Sequence, residues 1–553
     1  MTPGQLEALI RASLTQLGLP TAPDSISAIL PEVSVERPRR PEHGDYATSI
    51  ALVAAGRLGV APRALAADLA RALAADPGIA AAEVAGPGFV NIRLAPAAAG
   101  AVARTIVEDG ADYGTSTTLA GRHINLEFIS ANPTGPLHLG HTRWAALGDA
   151  IGRVLTAAGA TVTREFYIND RGVQLDRFGE SLLAVAEGRP VPDDGYHGAY
   201  IVDIAAAILA EHPQLLHLPA AERLELAREE GYRMVLTDQQ RVLALFRTTF
   251  DMWCSERALH ESGAVERALD RLRDAGHVYT LEGAQWLRTT DVGDDKDRVL
   301  VKADGELTYF AADTAYYLDK RARGHDLLIY LLGADHHGYA GRLRAVAACA
   351  GDDPDRTLEV LIGQLVRIEQ DGAEVRLSKR AGTVVTLEAL IDEVGVDAAR
   401  YSLIRHPADT PLTLDLDLLR THTSDNPVFS VQYAHARIAG VLRNAERAGI
   451  HWRAADFDPG VLVAEQETRL LGACAQYPRV VATAAELRAP HRVARHLEQL
   501  ATDFHRFYDA CRVLPAGEAA TPVHIGRLWL SAATRQVLAN GLALCGVNAP
   551  DQM

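Results

Sequence analysis

Residues 123–141 read HINLEFISANPTGPLHLGH, and the pattern of these residues indicates the fold class. Residues 123–130 have the apolar and β-branched pattern of a strand, and residues 131–140 form a loop rich in Pro and Gly. The next apolar positions recur on one face of a helix: Leu147, Ile151, Val154, Leu155 and Ala158. Residues 161–168 again favour a strand. The order strand–loop–helix–strand indicates a parallel sheet with crossover helices.

The remaining sequence divides around this α/β block. Residues 1–110 have the pattern of a small α/β module, and the α/β block itself covers residues 118–425. Within it, residues 185–290 are polar and helix-rich, which predicts an insertion. Residues 426–553 have helical patterns almost throughout. A chain of 553 residues divided in this way is expected to form three or four domains.

Composition restricts the class of protein. The formal net charge is −16, which argues against a general nucleic-acid coat protein but not against a local binding surface. We find no long uncharged apolar run and no signal-peptide pattern, and therefore expect a cytoplasmic protein. The five cysteines lack any C-x-x-C pair, so neither disulfides nor a cysteine zinc site is expected. The 55 basic residues include only four lysines: Lys296, Lys302, Lys320 and Lys379.

The strongest chemical signal is His138-Leu139-Gly140-His141, between the predicted strand and helix. Two imidazoles three residues apart lie on one side of a helix start. The free N–H groups and positive potential of that helix end suit a triphosphate, and Gly140 lets a nucleotide approach the backbone. The same residues could be solvated histidines in a helix-capping loop. The NPTGP segment at 132–136 and the strand before it favour the nucleotide site.

A second signal is RLSKRAG at residues 376–382, after a predicted hairpin at 366–377 that turns at Asp371-Gly372. Such a loop can close over leaving phosphates, and Lys379 would neutralise the charge that develops on pyrophosphate. By itself, the segment is better explained as a charged surface loop, and its pairing with the histidine motif favours the phosphate role. A lysine kept in a chain that otherwise uses arginine is informative, because a compact ammonium and a planar guanidinium do different work.

These two elements resemble the HIGH and KMSKS signatures of class I aminoacyl-tRNA synthetases. Leu139 and Arg376 stand where the ideal signatures have Ile and Lys. Further segments make the resemblance specific for the arginyl-tRNA synthetase family, and it extends over almost the whole chain. These segments are 127–143, 309–313, 333–338, Gln364, 426–428 and 432–437.

The resemblance implies a Rossmann-type catalytic domain at 118–425, split by the helical insertion at about 185–290. It also implies that the N-terminal module contacts the tRNA corner at the D-loop, and that the all-α C-terminal bundle binds the anticodon stem and loop. The implied reaction joins L-arginine to ATP as arginyl-adenylate and transfers it to the 3′-terminal adenosine of tRNA(Arg). ATP would carry Mg²⁺. We expect a monomer with no structural zinc and no membrane or DNA partner.

The resemblance also assigns candidate site residues by position. The arginine pocket would comprise Asn132, Glu256, Tyr309, Asp313 and Gln364. The groups serving ATP and the transition state would be His138, His141, Lys379 and Ser378, with Leu139, Gly140, Gly333, Asp335, His336 and His337 along the nucleotide. Carboxylates suit a guanidinium, which presents five donors in a planar fork. Glu256 and Asp313 are of that type.

Three alternatives compete with this interpretation. A class I enzyme for glutamate should have basic residues where Glu256 and Asp313 stand, and one for cysteine should have a thiolate zinc site. A metal-dependent phosphoesterase could use residues 335–337 with the histidine motif, but no further cluster completes such a site. A nonenzymatic tRNA-binding protein would not need the two histidines and Lys379.

Overall fold

The computed structural model describes residues 1–17, 33–38, 40–334, 338–375 and 385–553. The N-terminal elements are α1 (Pro3–Gln16), β1 (Tyr46–Thr48), α2 (Ile50–Leu58), α3 (Pro62–Leu73), β2 (Ile79–Ala85), β3 (Phe89–Leu94) and α4 (Pro96–Asp109). Strands β1 and β2 flank β3 in an antiparallel sheet, which has its own hydrophobic core with helices α1 to α3. Helix α4 instead packs on the C-terminal part, where the Arg104 guanidinium donates to the backbone oxygen of Ala454 at 2.7 Å.

The next part of the chain supplies most of the strands. They are β4 (His123–Glu127), β5 (Thr161–Ile168), β6 (Met252–Ser255), β7 (Val278–Leu281), β8 (Ala284–Leu287), β9 (Arg298–Val301), β10 (Leu327–Gly333), β11 (Leu358–Gly363), β12 (Val366–Gln370), β13 (Ala373–Glu374) and β14 (Leu412–Asp415). Five of them form one parallel sheet in the order β11-β10-β4-β5-β6. This is the Rossmann arrangement, whose order reverses between β4 and β10, and ligands bind such sheets outside the carboxyl ends of the strands at that switch point.

Helices cover this sheet and the small sheets beside it. They are α5 (Leu139–Ala157), α6 (Val173–Ala186), α7 (Ala199–Glu211), α8 (Ala220–Leu245), α9 (Glu256–Glu261), α10 (Ala264–Asp274), α11 (Tyr309–Ala322), α12 (Tyr339–Cys349), α13 (Pro354–Thr357), α14 (Leu387–Val394), α15 (Val396–Ile404) and α16 (Leu416–Arg420). The crossover helix α5 is buried along most of its length, from Leu139 to Leu155. A helix buried nearly all round is a central core element, so α5 holds its N-terminus, with the histidine motif, firmly at the switch point.

The predicted first strand ends earlier than its sequence pattern suggests. Residues 123–130 have the composition of a strand, but β4 stops at Glu127. Ile129 and Ser130 then adopt left-handed backbone angles, with φ of 71° and 45°. A β-branched residue rarely takes this conformation, and pattern rules therefore assign it to the strand.

The predicted helical insertion at 185–290 is helical only in part. Helices α7 and α8 pack with α6 around a separate core. However, β6 pairs with β5 inside the main sheet, and β7 and β8 form an antiparallel hairpin extended by β9. The prediction did not include these strands, because strands of four residues leave little periodic signal in a polar segment.

The C-terminal part is all helical, as predicted, with α17 (Pro427–Arg447), α18 (Glu465–Glu486), α19 (His491–Ala510) and α20 (Pro522–Leu544). The predicted apolar face of α17 is buried: Val428, Val431, Ala434, Ile438 and Val441. These helices share one continuous hydrophobic core with α5 and the main sheet. Among the helices in the described ranges, none has the length and apolarity needed to cross a membrane.

Candidate active site

The two histidines of the motif cap helix α5 through their rings. Nδ1 of His138 accepts a hydrogen bond from the backbone N–H of Gly140 at 3.1 Å, and Nδ1 of His141 accepts one from the backbone N–H of His138 at 3.3 Å. The ring centroids lie 4.0 Å apart. Because each Nδ1 is an acceptor, a neutral ring carries its proton on Nε2. Both rings can thus donate a hydrogen bond from Nε2 to a ligand.

Gly140 makes room for this arrangement. A Cβ atom at this position would lie 2.9 Å from Cε1 of His138, closer than the two carbons can approach without a shift. From the sequence, Gly140 is expected to let a nucleotide come close to the backbone. The structure adds that the glycine also accommodates the neighbouring imidazole.

The chain beyond the predicted basic loop is hydrogen-bonded to the histidine motif. The backbone N–H of Leu139 donates to the carbonyl of Val385 at 3.0 Å, and the N–H of Leu387 donates to the carbonyl of Leu137 at 2.8 Å. Thr386 and His138 form the bridge between them. Five predicted site residues lie outside the described residues: Asp335, His336, His337, Ser378 and Lys379. Val385 is the first described residue after Ser378 and Lys379, and its carbonyl accepts the hydrogen bond from Leu139 of the motif.

A cleft of about 690 Å³ opens at the carboxyl ends of β4, β10 and β11. The predicted residues that line it are Asn132, His138, Gly140, His141, Asp313, Gly333 and Gln364. They come from distant parts of the sequence and meet where the strand order reverses. The cleft therefore has an imidazole end at the start of α5 and a carboxylate end at α11.

Asp313 supplies the carboxylate of that end. Its pKa is raised from 3.8 to about 7, mainly by burial and also by the nearby charges of Glu256 and Glu127, while a hydrogen bond from Tyr339 acts in the opposite direction. An ionised carboxylate is costly in such surroundings unless a cation accompanies it. The cleft is thus chemically suited to a positively charged ligand.

Glu256 lies behind the cleft wall and not in it. It begins α9, is 5% exposed, and is absent from the lining. Burial raises the pKa of its carboxyl, and a hydrogen bond with Tyr167 lowers it. The side-chain amide of Asn169 makes hydrogen bonds when its NH2 group faces Glu256. In that orientation it donates to Oε2 of Glu256 at 2.9 Å. Since its charge acts on Asp313, Glu256 adds negative potential to the same end of the cleft.

Two other predicted residues are not brought into the cleft. Tyr309 is the first residue of α11, one turn before Asp313 as predicted, but its side chain is 72% exposed. Its hydroxyl lies near the backbone of Gly172, 3.7 Å from where a Cβ atom would stand. Leu139 is 3% exposed and packs in the core. Only its backbone N–H takes part in the motif.

Several residues of the site received no role from the sequence. Arg143 is buried, and its Nη1 donates to the carbonyl of Gln364 at 3.0 Å and its Nη2 to that of Pro407 at 2.7 Å. Burial lowers the pKa of Arg143 to about 10. Trp144 covers Gly363, where an added Cβ atom would lie 1.5 Å from the indole ring. Arg143 could have been named as a site residue from the sequence, because it stands two residues after His141 in the segment 127–143 that carried the resemblance.

Glu127, Ser130 and Tyr339 also line the cleft without having been predicted. The Ser130 hydroxyl donates to Oε1 of Glu127 at 2.9 Å. Residue 127 ends a strand of the predicted parallel sheet, and the carboxyl ends of such strands form the ligand crevice. The sequence pattern extends this strand to residue 130, so only the structure places Glu127 at its end.

The fold and the cleft are those of the class I aminoacyl-tRNA synthetases. The family model described as tRNA synthetases class I (R), catalytic domain, matches residues 103–189 and 233–412. The arginyl tRNA synthetase N terminal domain matches residues 4–94, and the DALR anticodon binding domain matches residues 431–553. The chain belongs to the arginine–tRNA ligase family.

Individual relatives agree over the full length. The chain is 56% identical to the arginine–tRNA ligase of Kineococcus radiotolerans and 55% identical to that of Frankia alni, in both cases covering 100% of each chain. Among solved structures, Thermus thermophilus arginyl-tRNA synthetase has a TM-score of 0.77 at 23% identity, with 100% of both chains covered. The Plasmodium falciparum enzyme has a TM-score of 0.73 at 14% identity, with the same coverage. These two likenesses concern the fold.

Proposed function

We propose that this chain activates L-arginine with ATP and transfers the arginyl group to the 3′-terminal adenosine of tRNA(Arg). One observation carries the proposal: a single cleft joins the paired imidazoles of α5 to the buried carboxylate of Asp313. The first suits a polyphosphate at a helix N-terminus, and the second suits a guanidinium. Membership of the arginine–tRNA ligase family supports the same reaction.

In the proposed complex, the arginine side chain enters the carboxylate end. Its guanidinium pairs with Asp313, and Glu256 strengthens the negative potential from behind the wall. Asn132 and Gln364 line the cleft and would hold the amino-acid end of the substrate. Tyr309, at the rim, would have to close over the ligand to join this set.

The nucleotide would lie along the switch point, from Gly333 to the start of α5. The Nε2 atoms of His138 and His141 would donate to phosphate oxygens as charge develops in the transition state. ATP enters as its Mg²⁺ complex, a substrate in this scheme. Gly140 and residues 335–337 and 378 keep the nucleotide role proposed from the sequence, whereas Leu139 supports the motif from the core. Lys379 would meet the departing pyrophosphate.

No protein nucleophile is needed for this chemistry. The arginine carboxylate attacks the α-phosphorus of ATP in line, the bond to the pyrophosphate oxygen breaks, and arginyl-adenylate remains. The 2′-hydroxyl of the terminal tRNA ribose then attacks the mixed anhydride and releases AMP. The contribution of the chain is to hold the reacting atoms in position and to stabilise phosphate charge.

Binding of tRNA would engage both ends of the molecule. We assign the D-loop corner to the N-terminal module, residues 1–110, and the anticodon stem and loop to residues 426–553. The match to an anticodon binding domain at 431–553 supports the second assignment. The catalytic domain, 118–425, would receive the tRNA 3′ end at the cleft.

The deciding experiment is pyrophosphate exchange and aminoacylation with each of the twenty amino acids, in the presence and absence of total tRNA. We expect exchange into ATP with arginine alone, and arginine attached to tRNA. Activity with another amino acid would reject the pocket assignment. Hydrolysis of simple phosphoesters with no amino-acid dependence would favour a phosphoesterase instead.

A further inference from the structure

Lys320 is a buried lysine that the proposed reaction does not use. It lies on α11 with a fully buried side chain, in a chain that has only four lysines among 55 basic residues. Its ammonium contacts Oε2 of Glu127 at 2.5 Å. The rings of Tyr316 and Tyr330 flank the same nitrogen, at 4.2 and 4.0 Å from their centroids. Burying an ammonium in this way is costly, so its retention calls for a reason.

The partner of Lys320 belongs to the cleft wall. Glu127 lines the cleft, and both of its carboxylate oxygens are engaged: Oε2 by Lys320 and Oε1 by the hydroxyl of Ser130 at 2.9 Å. The Ser130 hydroxyl in turn accepts a hydrogen bond from the backbone N–H of Tyr167 at 3.1 Å. A continuous chain of contacts therefore runs from the ammonium to the residue before Ala131 and Asn132.

The segment at the end of this chain is strained. Ile129 and Ser130 are consecutive non-glycine residues with left-handed φ angles of 71° and 45°, and both line the cleft. Such conformations are unfavourable for residues with a side chain and persist only where the surroundings hold them in place. Here the restraint comes from the Ser130 hydroxyl, which is fixed by Glu127 on one side and by Tyr167 on the other.

We propose that Lys320 is a positioning residue for the arginine pocket: by anchoring Glu127, it holds the strained Ile129–Ser130 turn and thereby places Asn132 at the cleft. The inference rests on the proposed function, since it specifies how the wall of that same pocket is kept in shape. The ammonium also compensates one of the three carboxylates, Glu127, Asp313 and Glu256, whose charges act on one another. Asp313 then remains as the carboxylate of the cleft lining that can pair with the guanidinium of a ligand.

The test uses the full-length chain in arginine-dependent pyrophosphate exchange with tRNA present. We expect Lys320→Met to raise the KM for arginine about tenfold or more, with the KM for ATP changed less than about twofold. Arg321→Met is the matched control. It removes the neighbouring cation on α11, whose partner Asp352 does not line the cleft, and should lower thermal stability without changing the KM for arginine.

A double-variant cycle separates positioning from general damage. If Lys320 acts through Glu127, the Glu127→Gln/Lys320→Met variant should have a KM for arginine no higher than the worse single variant. Ser130→Ala interrupts the same chain with a much smaller change, and should also raise the KM for arginine selectively even if Lys320→Met fails to fold. An unchanged KM in Ser130→Ala, or effects that multiply fully in the double variant, would overturn the inference. Absence of arginine-dependent exchange in the unaltered chain would instead reject the proposed function.

Discussion

At the scale of single residues, the site depends on a carboxylate that is held in an unfavourable place. Asp313 has a pKa of about 7 because burial and the charges of Glu256 and Glu127 disfavour its ionised form. A guanidinium reverses this balance, because a charge-assisted pair is strongest where water is excluded. Ionised Asp313 therefore destabilises the protein while the pocket is empty, and it makes the pocket selective for a cation.

Replacement of Asp313 with Asn should weaken arginine binding. The amide keeps the size of the carboxylate but cannot carry its charge, and loss of a hydrogen bond to a charged group costs about 1.5–3 kcal/mol. We expect the KM for arginine to rise ~10- to 100-fold, with the KM for ATP nearly unchanged. Steady-state exchange kinetics measure both. An unaltered KM for arginine would remove Asp313 from the pocket.

The pH dependence of arginine binding should follow the same carboxyl group. Since the guanidinium binds the ionised form, protonation below pH 7 competes with it, and the KM for arginine should rise about tenfold per pH unit there. A raised carboxyl pKa also means that the stability of the empty protein falls as pH rises from about 4 to about 7, where only the unfolded chain is ionised at this carboxyl, and then levels off. Thermal denaturation with and without arginine should therefore show stabilisation by arginine that is larger at pH 8 than at pH 6. The Asp313→Asn variant should lose this difference.

At the scale of secondary-structure elements, the parallel sheet and its crossover helix follow directly from the sequence. The patterns at 161–168 and 326–332 correspond to β5 and β10, because buried strands keep strong apolar signatures. The end of β4 was not predictable, since Ile129 takes its backbone angle from hydrogen bonds made by the next residue. Strand β6 has only four residues, too few for a periodic pattern within a polar segment.

The same distinction applies to the candidate site. Asn132, Asp313, Gly333 and Gln364 reach the cleft because the topology brings strand ends and the start of α5 together. The side chain of Tyr309 is exposed because no neighbouring element among the described residues covers it at the first turn of α11. Such tertiary contacts cannot be predicted from the local sequence. The resemblance to a family supplied these residues by position, while tertiary packing decided which of them meet.

A separate prediction concerns Lys379, which lies in the sequence between the hairpin β12–β13 and Val385. The hairpin before it is closed by Val375, whose N–H donates to Ile368 at 2.9 Å, and Val385 after it is bonded to Leu139. Both ends of the segment are therefore attached beside the cleft. We expect Lys379→Ala to lower the exchange rate ~10²- to 10³-fold by removing a charge aimed at pyrophosphate, with tRNA affinity nearly unchanged. Lys296→Ala, at an exposed lysine, is the control. Equal losses of rate and tRNA affinity would contradict the assigned role.

At the scale of the whole molecule, the catalytic sheet and the C-terminal helices are joined by a buried polar cluster. Asp149 of α5 is 1% exposed and pairs with Arg400 of α15, which also donates to the carbonyls of Phe246 at 2.7 Å and Cys545 at 3.2 Å. Beside it, Asp397 accepts from Gln432 of α17 at 2.9 Å. The helix that bears the histidine motif is thereby tied to the helices that would bind the anticodon.

Breaking this cluster should destabilise the molecule as a unit. Arg400→Met removes the fully buried partner of Asp149 and leaves its pair with Arg153 at 2.7 Å, and loss of a hydrogen bond to a charged group costs about 1.5–3 kcal/mol. We expect a large fall in the midpoint of thermal denaturation, monitored by circular dichroism. The double variant Asp149→Asn/Arg400→Met should recover part of the loss, because the carboxylate whose buried partner is missing no longer carries a charge. Arg535→Met, which breaks an exposed pair with Asp551 in the C-terminal helices, should cost about 1 kcal/mol or less.

The outcome also decides how tightly the two parts are coupled. If α5 and the C-terminal helices unfold together, as their shared core requires, the Arg400→Met protein should retain one transition at a lower temperature. Two separate transitions, or a loss no larger than that of Arg535→Met, would mean that the cluster does not connect them. A single transition would mean that α5 and the C-terminal helices form one cooperative unit, because a close-packed core transmits a local change to the elements around it.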